Sequence, residues 1–194
     1  TMKKTTWLIC ALLIVSSSGF AAPATSDIPE HKGDNAKYFT NLPLITQDNK
    51  RIRFYDDMVQ GKIVIMNVMF TTCSMTCSPV TANLARVQQY LGERVGNDVR
   101  MVSISLDPLN DTPERLHKYA ADHSVKPGWF FLTGKKENID WVLYKIGSYI
   151  EEKEQHTNLL IIGNEQTGQW KKIYALASPA EISAEVRKLS QAKP

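Results

Sequence analysis

Apolar residues recur along this chain with two periods, one suited to strands and one to helices. Segment 62–70, Lys62-Ile63-Val64-Ile65-Met66-Asn67-Val68-Met69-Phe70, is almost continuously apolar and rich in β-branched residues. Such a run predicts a strand buried on both faces, with Met66 and Met69 in the core. After it, Val80, Leu84, Val87 and Leu91 recur at helical spacing and Gly92 supplies a stop. Segment 99–106 alternates apolar residues with Arg100, Ser103 and Ser105, as a strand does. Thr112 and Pro113 predict a capped helix that runs to about Asp122. A short strand at 129–132 follows, with Trp129 packed at its start. Ile139, Val142, Leu143 and Ile146 mark a third helix, stopped by Gly147. Segments 157–162 and 169–175 read as a hairpin around a turn at 163–168. Ser178-Pro179-Ala180-Glu181 is a capping box that opens a last helix, buried through Ile182, Val186 and Leu189. Upstream, 42–46 and 51–54 flank Gln47-Asp48-Asn49-Lys50 as a further hairpin.

The predicted order is therefore hairpin, then β-α-β-α-β-α-β-β-α. Short, right-handed connections leave few arrangements for it. The best fit is α/β: a central sheet, parallel strands first and an antiparallel hairpin last, with helices on both faces. That is a thioredoxin-like three-layer fold with an N-terminal β-hairpin extension.

The N-terminal segment follows a different pattern. Lys3 and Lys4 precede an apolar run at 7–15, and Ser16-Ser17-Ser18-Gly19-Phe20-Ala21-Ala22 follows it. This is the order of a secretory signal, with cleavage expected near Ala21 or Ala22. The run is shorter than the roughly 20 residues of a membrane span, so an uncleaved N-terminal anchor is the alternative. Residues 1–22 are thus read as a signal peptide, 23–36 as a polar tether that includes His31, and 37–194 as the folded domain. Export places the protein in the periplasm, where thiols tend to be oxidised.

Composition narrows the function classes. With 194 residues, 43% hydrophobic and 22% charged, the chain is an ordinary globular protein of one domain. The formal net charge is +3, and Lys3 and Lys4 supply two of those charges. That balance excludes charge-driven binding of nucleic acid or of acidic lipid, and a monomer is expected. Three cysteines exclude a disulfide-rich scaffold, and Cys10 falls inside the leader.

Cys73 and Cys77 remain, four residues apart where the buried strand gives way to a helix. Positions i and i+4 of a helix share a face, with Cβ atoms about 5–6 Å apart. Two sulfurs so placed can converge on one metal ion, or join as a disulfide with modest adjustment. The unpaired N–H groups of a helix N-terminus favour the thiolate, the form that ligates metals and attacks disulfides. A structural disulfide is the plainest alternative. Among the histidines, His117 and His123 fall among charged residues and read as surface groups. His156 ends the polar loop Glu151-Glu152-Lys153-Glu154-Gln155 and precedes an apolar strand, so it can fold back over the cysteine end of the sheet. Two thiolates and one imidazole form a soft site that favours Cu(I), and the same set with a water could hold zinc. Asp107, at the end of the second central strand, and Met75, between the cysteines, are candidates to support the site.

Three motifs together resemble a known family. Phe70-Thr71-Thr72-Cys73-Ser74-Met75-Thr76-Cys77, then Ser103-Ile104-Ser105-Leu106-Asp107-Pro108 continuing through Asp111-Thr112-Pro113-Glu114, then His156 before its strand, are similar to the Sco (SenC) family. The resemblance runs from about residue 41 to 189. It implies a thioredoxin-like domain that binds Cu(I) or Cu(II) through Cys73, Cys77 and His156. It also implies a part in maturing the CuA centre of cytochrome c oxidase, with the CuA-bearing subunit or another periplasmic copper protein as partner. One departure stands out: the family has proline directly after the second cysteine, whereas here Ser78 intervenes before Pro79.

Other functions fit parts of the pattern. A thiol–disulfide oxidoreductase would use Cys73 and Cys77 as a redox pair, served by a thiol–disulfide reductant as partner. Against a general thioredoxin stand the C-x3-C spacing and the absence of proline from 151–160. A copper or redox sensor is a further reading. A peroxiredoxin is opposed by the missing Pro-x-x-x-Thr-x-x-Cys run, since residues 66–73 read Met-Asn-Val-Met-Phe-Thr-Thr-Cys.

Overall fold

A computed structural model describes residues 38–73 and 75–191. The expected leader, the tether and His31 lie outside the described residues. The elements are β1 (Pro43–Thr46), β2 (Arg51–Arg53), β3 (Ile63–Met69), α1 (Cys77–Leu91), β4 (Val99–Ser105), α2 (Pro113–Asp122), β5 (Trp129–Thr133), α3 (Lys136–Lys145), β6 (Leu159–Asn164), β7 (Gln169–Tyr174) and α4 (Pro179–Gln191). The strands form one seven-stranded sheet in the order β2-β1-β5-β4-β3-β6-β7. Strands β3, β4 and β5 are parallel; β1 pairs antiparallel with β5 and β6 with β3, and the outer β2 and β7 pair antiparallel with β1 and β6. The N-terminal hairpin extends the β5 edge through Ile45↔Thr133 and Thr46↔Leu132.

Strand β3 lies inside the sheet, and its alternate residues enter two separate cores. Ile63, Ile65 and Met69 pack with Val80, Leu84 and Val87 of α1, Leu116 of α2, and Ile182 and Val186 of α4. Val64 and Met66 pack on the opposite face with Val142 and Leu143 of α3 and with Phe54. Both faces are covered, which is why the run reads as continuously apolar. Trp129 is buried at the start of β5, and its Nε1–H donates to Ser103 Oγ at 2.9 Å.

Local signals set the helix ends. Thr112 Oγ1 accepts from Arg115 N–H at 3.4 Å, with Pro113 opening α2. Ser178 N–H donates to Glu181 Oε2 at 2.9 Å and Glu181 N–H to Ser178 Oγ at 3.2 Å, the reciprocal pair of a capping box. Gly147 has φ +66°, the left-handed position that ends α3.

Three details differ from the pattern-based reading. Residues 54–59 form a single π-helical turn that packs Phe54, Met58 and Val59 inward. Helix α1 starts at Cys77 rather than near Val80, so Pro79 falls in the first turn, where no backbone N–H is needed. Strand β6 runs on through Gly163 and Asn164, which the sequence places in a turn. Gly163 pairs with Trp170, and a Cβ on it would lie 2.1 Å from the indole ring. The glycine is there so that the indole can lie against the strand, not to turn the chain.

Candidate metal centre

Strand β3 carries the chain to Phe70, and the two cysteines follow on the way into α1. This segment is tied from below by Asp111, which is fully buried. Its Oδ1 accepts from Thr71 N–H at 3.1 Å and from Thr71 Oγ1–H at 2.5 Å. Its Oδ2 accepts from Ser105 Oγ–H, at the end of β4, at 2.5 Å. One carboxylate therefore joins the ends of the two central parallel strands. Above it, Cys73 N–H donates to Phe70 O at 3.2 Å, and Cys73 Sγ accepts from Cys77 N–H at 3.3 Å. Cys73 is half-buried, Cys77 is 3% exposed, and both are free thiols.

The two sulfurs differ in proton affinity. Burial pushes the Cys73 thiol up, but hydrogen bonds from the Cys77 thiol and from the backbone N–H groups of Cys77, Thr76 and Met75 outweigh it. The result is a pKa below the ordinary cysteine value. Burial also raises Cys77, and its hydrogen bond to Cys73 adds to the effect, so it is pushed up to about 12.

His156 reaches the same point by topology. Strand β6 pairs antiparallel with β3, so the start of β6 lies beside the end of β3. The loop before β6 therefore hangs over the cysteines. Within a 3-10 turn at Lys153–Gln155, Lys153 O lies 2.8 Å from His156 Nδ1. A carbonyl only accepts, so Nδ1 carries the proton and Nε2 presents its lone pair. Nε2 stands 3.6 Å from Cys77 Sγ. The donor atoms of Cys73, Cys77 and His156 all lie within 4.8 Å of one another. Phe70 meets the imidazole edge-on, with ring centroids 5.6 Å apart.

Asp107 holds this loop rather than touching the three donors. Its Oδ2 lies 2.5 Å from Lys153 Nζ, whose ammonium also sits over the Phe70 ring at 5.1 Å. Burial raises the Asp107 carboxyl, but hydrogen bonds from Lys153 and Asn110 prevail and leave it below the usual carboxylate value. The hydrogen bond to Asp107 correspondingly raises Lys153. Met75 is 81% exposed and lines an open cleft of about 410 Å³ together with Cys73, Thr76, Lys153 and His156.

The other histidines among the described residues lie elsewhere. His117 is exposed, with Nδ1 3.2 Å from Asp48. His123 is not a simple surface group: it is half-buried, its Nδ1–H donates to Tyr119 O at 2.8 Å, and its ring lies 4.3 Å from that of Tyr119. Asp111, Lys153 and Phe70 are the supporting residues that pattern reading passes over. Thr71-Thr72, polar directly after a buried strand, is the one hint that a buried acceptor is needed. Lys153, inside a charged run, carries no hint.

A dithiol at the head of α1, facing an imidazole from the loop before β6, defines a thioredoxin-like domain with a candidate soft-metal site. The SCO1/SenC family model matches residues 31–191, and the chain belongs to that family. A SCO1 protein homolog of Bacillus subtilis is 35% identical over 94 residues, 47% of this chain and 47% of that protein. The match thus spans about half the length of that relative. Arabidopsis thaliana ScoI, solved with copper bound, superposes with a TM-score of 0.64 at 26% identity, over 80% of this chain and 99% of that one. BsSco, described as having a disulfide switch and as a member of the Sco family of cytochrome c oxidase assembly proteins, gives 0.65 at 25% identity, over 80% and 94%.

Proposed function

We propose that this chain is a copper metallochaperone. It binds one Cu(I) or Cu(II) ion through Cys73, Cys77 and His156 and passes it to a partner's thiolates and imidazoles by ligand exchange. The observation that carries this reading is the convergence of three donor atoms within 4.8 Å. Two sulfurs and one nitrogen match the preference of Cu(I) for soft, low-coordinate sites. Copper bound to the Arabidopsis relative supports the cargo, and the oxidase-assembly description of BsSco supports the destination. The recipient is the CuA-bearing subunit of cytochrome c oxidase or another periplasmic copper protein. The charged, apolar and small-residue order of residues 2–22 supports export to the periplasm, with an N-terminal anchor in the inner membrane as the other form. Among the described residues, no helix is long and apolar enough to cross a membrane.

The test is a titration of the reduced protein with Cu(I) against a competing chelator. Wild type takes up one equivalent tightly. His156→Ala weakens binding by about 100-fold, since even outer-shell losses cost 10–100-fold. Unchanged affinity removes His156 from the site.

A second reading rests on the unequal exposure of the two thiols. Cys73 faces the cleft and Cys77 is buried behind it, the arrangement of an attacking and a resolving sulfur. Cys73 thiolate attacks a partner disulfide, Cys77 displaces the partner's second thiol, and the partner is reduced as Cys73–Cys77 forms. Disulfide reduction by metal-free His156→Ala at the wild-type rate supports it.

A further inference from the structure

Resting on the copper-binding reading, we propose that the Met75 thioether is an outer soft ligand at the mouth of the site. It holds Cu(I) first on entry and last on departure. The argument begins with exposure. Methionine usually earns its place by filling irregular gaps in a core, and Met75 fills none, being 81% exposed. Its place in the chain is close to the site, two residues from each cysteine. Its side chain lines the same cleft as Cys73 and His156.

The approach to the site is one-sided. Cys77 is 3% exposed and lies on the core side, packed with Phe70 and Val80. The imidazole is backed by the Phe70 ring and tethered through Nδ1 to Lys153. An incoming ion must therefore cross the cleft toward Cys73. Beyond the three proposed ligands, the cleft offers the Thr72 and Thr76 hydroxyls, the Glu154 carboxylate, the Asn158 amide, the Lys153 ammonium and the Met75 thioether. The oxygens are hard donors and the ammonium is cationic. Met75 Sδ is the one soft donor left, and Cu(I) selects thioether and thiolate over oxygen.

The step is ligand exchange with no electron moved. On loading, a Cu(I)–ligand bond of the donor breaks as the Cu(I)–Sδ bond forms. The Cys73 and Cys77 sulfurs and His156 Nε2 then replace the remaining outer ligands, and any thiol proton passes to water. Copper stays Cu(I) throughout, and departure runs the same sequence backwards. Because thiolates and imidazole dominate the loaded state, Met75 governs rate and hardly affects equilibrium.

The experiment follows the transfer of Cu(I) from loaded protein to excess chromogenic chelator by stopped flow, in wild type, Met75→Leu and Met75→Ala. Equilibrium affinity is measured on the same samples. Both substitutions slow transfer by about tenfold, a barrier change of roughly 1.4 kcal/mol, while affinity stays within about threefold. Wild-type rates in both variants overturn the proposal. So does a normal rate in Met75→Leu with a slow one in Met75→Ala, because apolar bulk and not sulfur is then what counts. Failure of wild type to take up Cu(I) sinks the copper reading itself. Normal uptake with an unaltered rate in Met75→Leu sinks the role of Met75 alone.

Discussion

The segment carrying Cys73 and Cys77 is fixed from beneath by a buried carboxylate, whereas the segment carrying His156 is fixed from the side by an ion pair at the cleft. Asp111 is fully buried and accepts from the backbone and hydroxyl of Thr71 and from Ser105. Lys153 and Asp107 keep 29% and 10% of their side-chain surface. The two cysteines are also only four residues apart, Cys73 just ahead of α1 and Cys77 at its first position, while His156 arrives from a separate loop. The dithiol half is thus preorganised by groups that cannot move without opening the core. The imidazole half rests on one ion pair, on the His156 N–H and Nδ1–H bonds to the Lys153 carbonyl, and on the Phe70 ring. The histidine loop is therefore the more lightly held of the two halves.

The sharpest way to break this comparison is to remove the carboxylate. Asp111→Ala leaves the Thr71 amide, the Thr71 hydroxyl and the Ser105 hydroxyl without their acceptor inside the protein. Expected destabilisation is about 3–5 kcal/mol, read as a drop in the urea midpoint. Asp111→Asn keeps one acceptor oxygen and recovers part of the loss. A cost below about 1 kcal/mol for the alanine variant shows that the dithiol half is not held from beneath.

Within the dithiol half the two sulfurs separate sharply. Cys73 is held below the ordinary thiol value and Cys77 is pushed up to about 12. The thiolate therefore forms on Cys73 at lower pH than on Cys77, which makes Cys73 the readier nucleophile. Brief alkylation of the reduced, metal-free protein marks Cys73 ahead of Cys77 by about 100-fold, read by peptide mass mapping. Equal labelling means that the helix-terminal N–H groups do not discriminate between the sulfurs.

The histidine arm responds more gently. Lys153→Ala releases the loop from Asp107 and lowers Cu(I) affinity by about tenfold, the scale of a lost supporting contact. Global stability changes by less than about 1 kcal/mol, as for other partly exposed pairs. Lys153→Arg keeps a cation facing Asp107 and restores most of the affinity. A stability loss in Lys153→Ala as large as that of Asp111→Ala erases the distinction between the halves.

The same contrast explains what could be read along the chain. Strand β3, the cap of α2 and the capping box of α4 announce themselves because their signals are local: a run, a Thr-Pro pair, a Ser and a Glu three apart. The cysteine pair was legible for the same reason, sitting where a buried run ends. His156 became legible once strand order suggested that its loop returns to that end. Asp111 is not legible as a support, since Thr71-Thr72 hints only that some acceptor is needed and the carboxylate that supplies it lies forty residues away. Lys153 looks like any solvated lysine until its loop is folded against Asp107. Gly163 reads as a turn residue because the indole that fits against it belongs to the partner strand. His123 reads as a surface group because its stacking on Tyr119 depends on how α2 ends.

The smallest effect concerns pH and isolates the ion pair from the rest of the arm. Asp107 lies below its ordinary value in the folded protein, so its carboxylate is favoured by folding. The sign follows directly. The stabilisation is fully present above the unfolded value near 3.9 and is lost as pH falls through the lower folded value. Between pH 7 and pH 5 the pair therefore contributes a constant amount, of order 1 kcal/mol or less. The Asp107 carboxyl resonance, followed by NMR in the metal-free protein, should titrate below the ordinary carboxylate range. In Lys153→Ala the main cation holding it down is gone, while burial and Asn110 remain, so the midpoint moves up. A midpoint that does not move assigns the shift to Asn110 and the backbone, and the arm is then held by the carbonyl of Lys153 with no help from its ammonium.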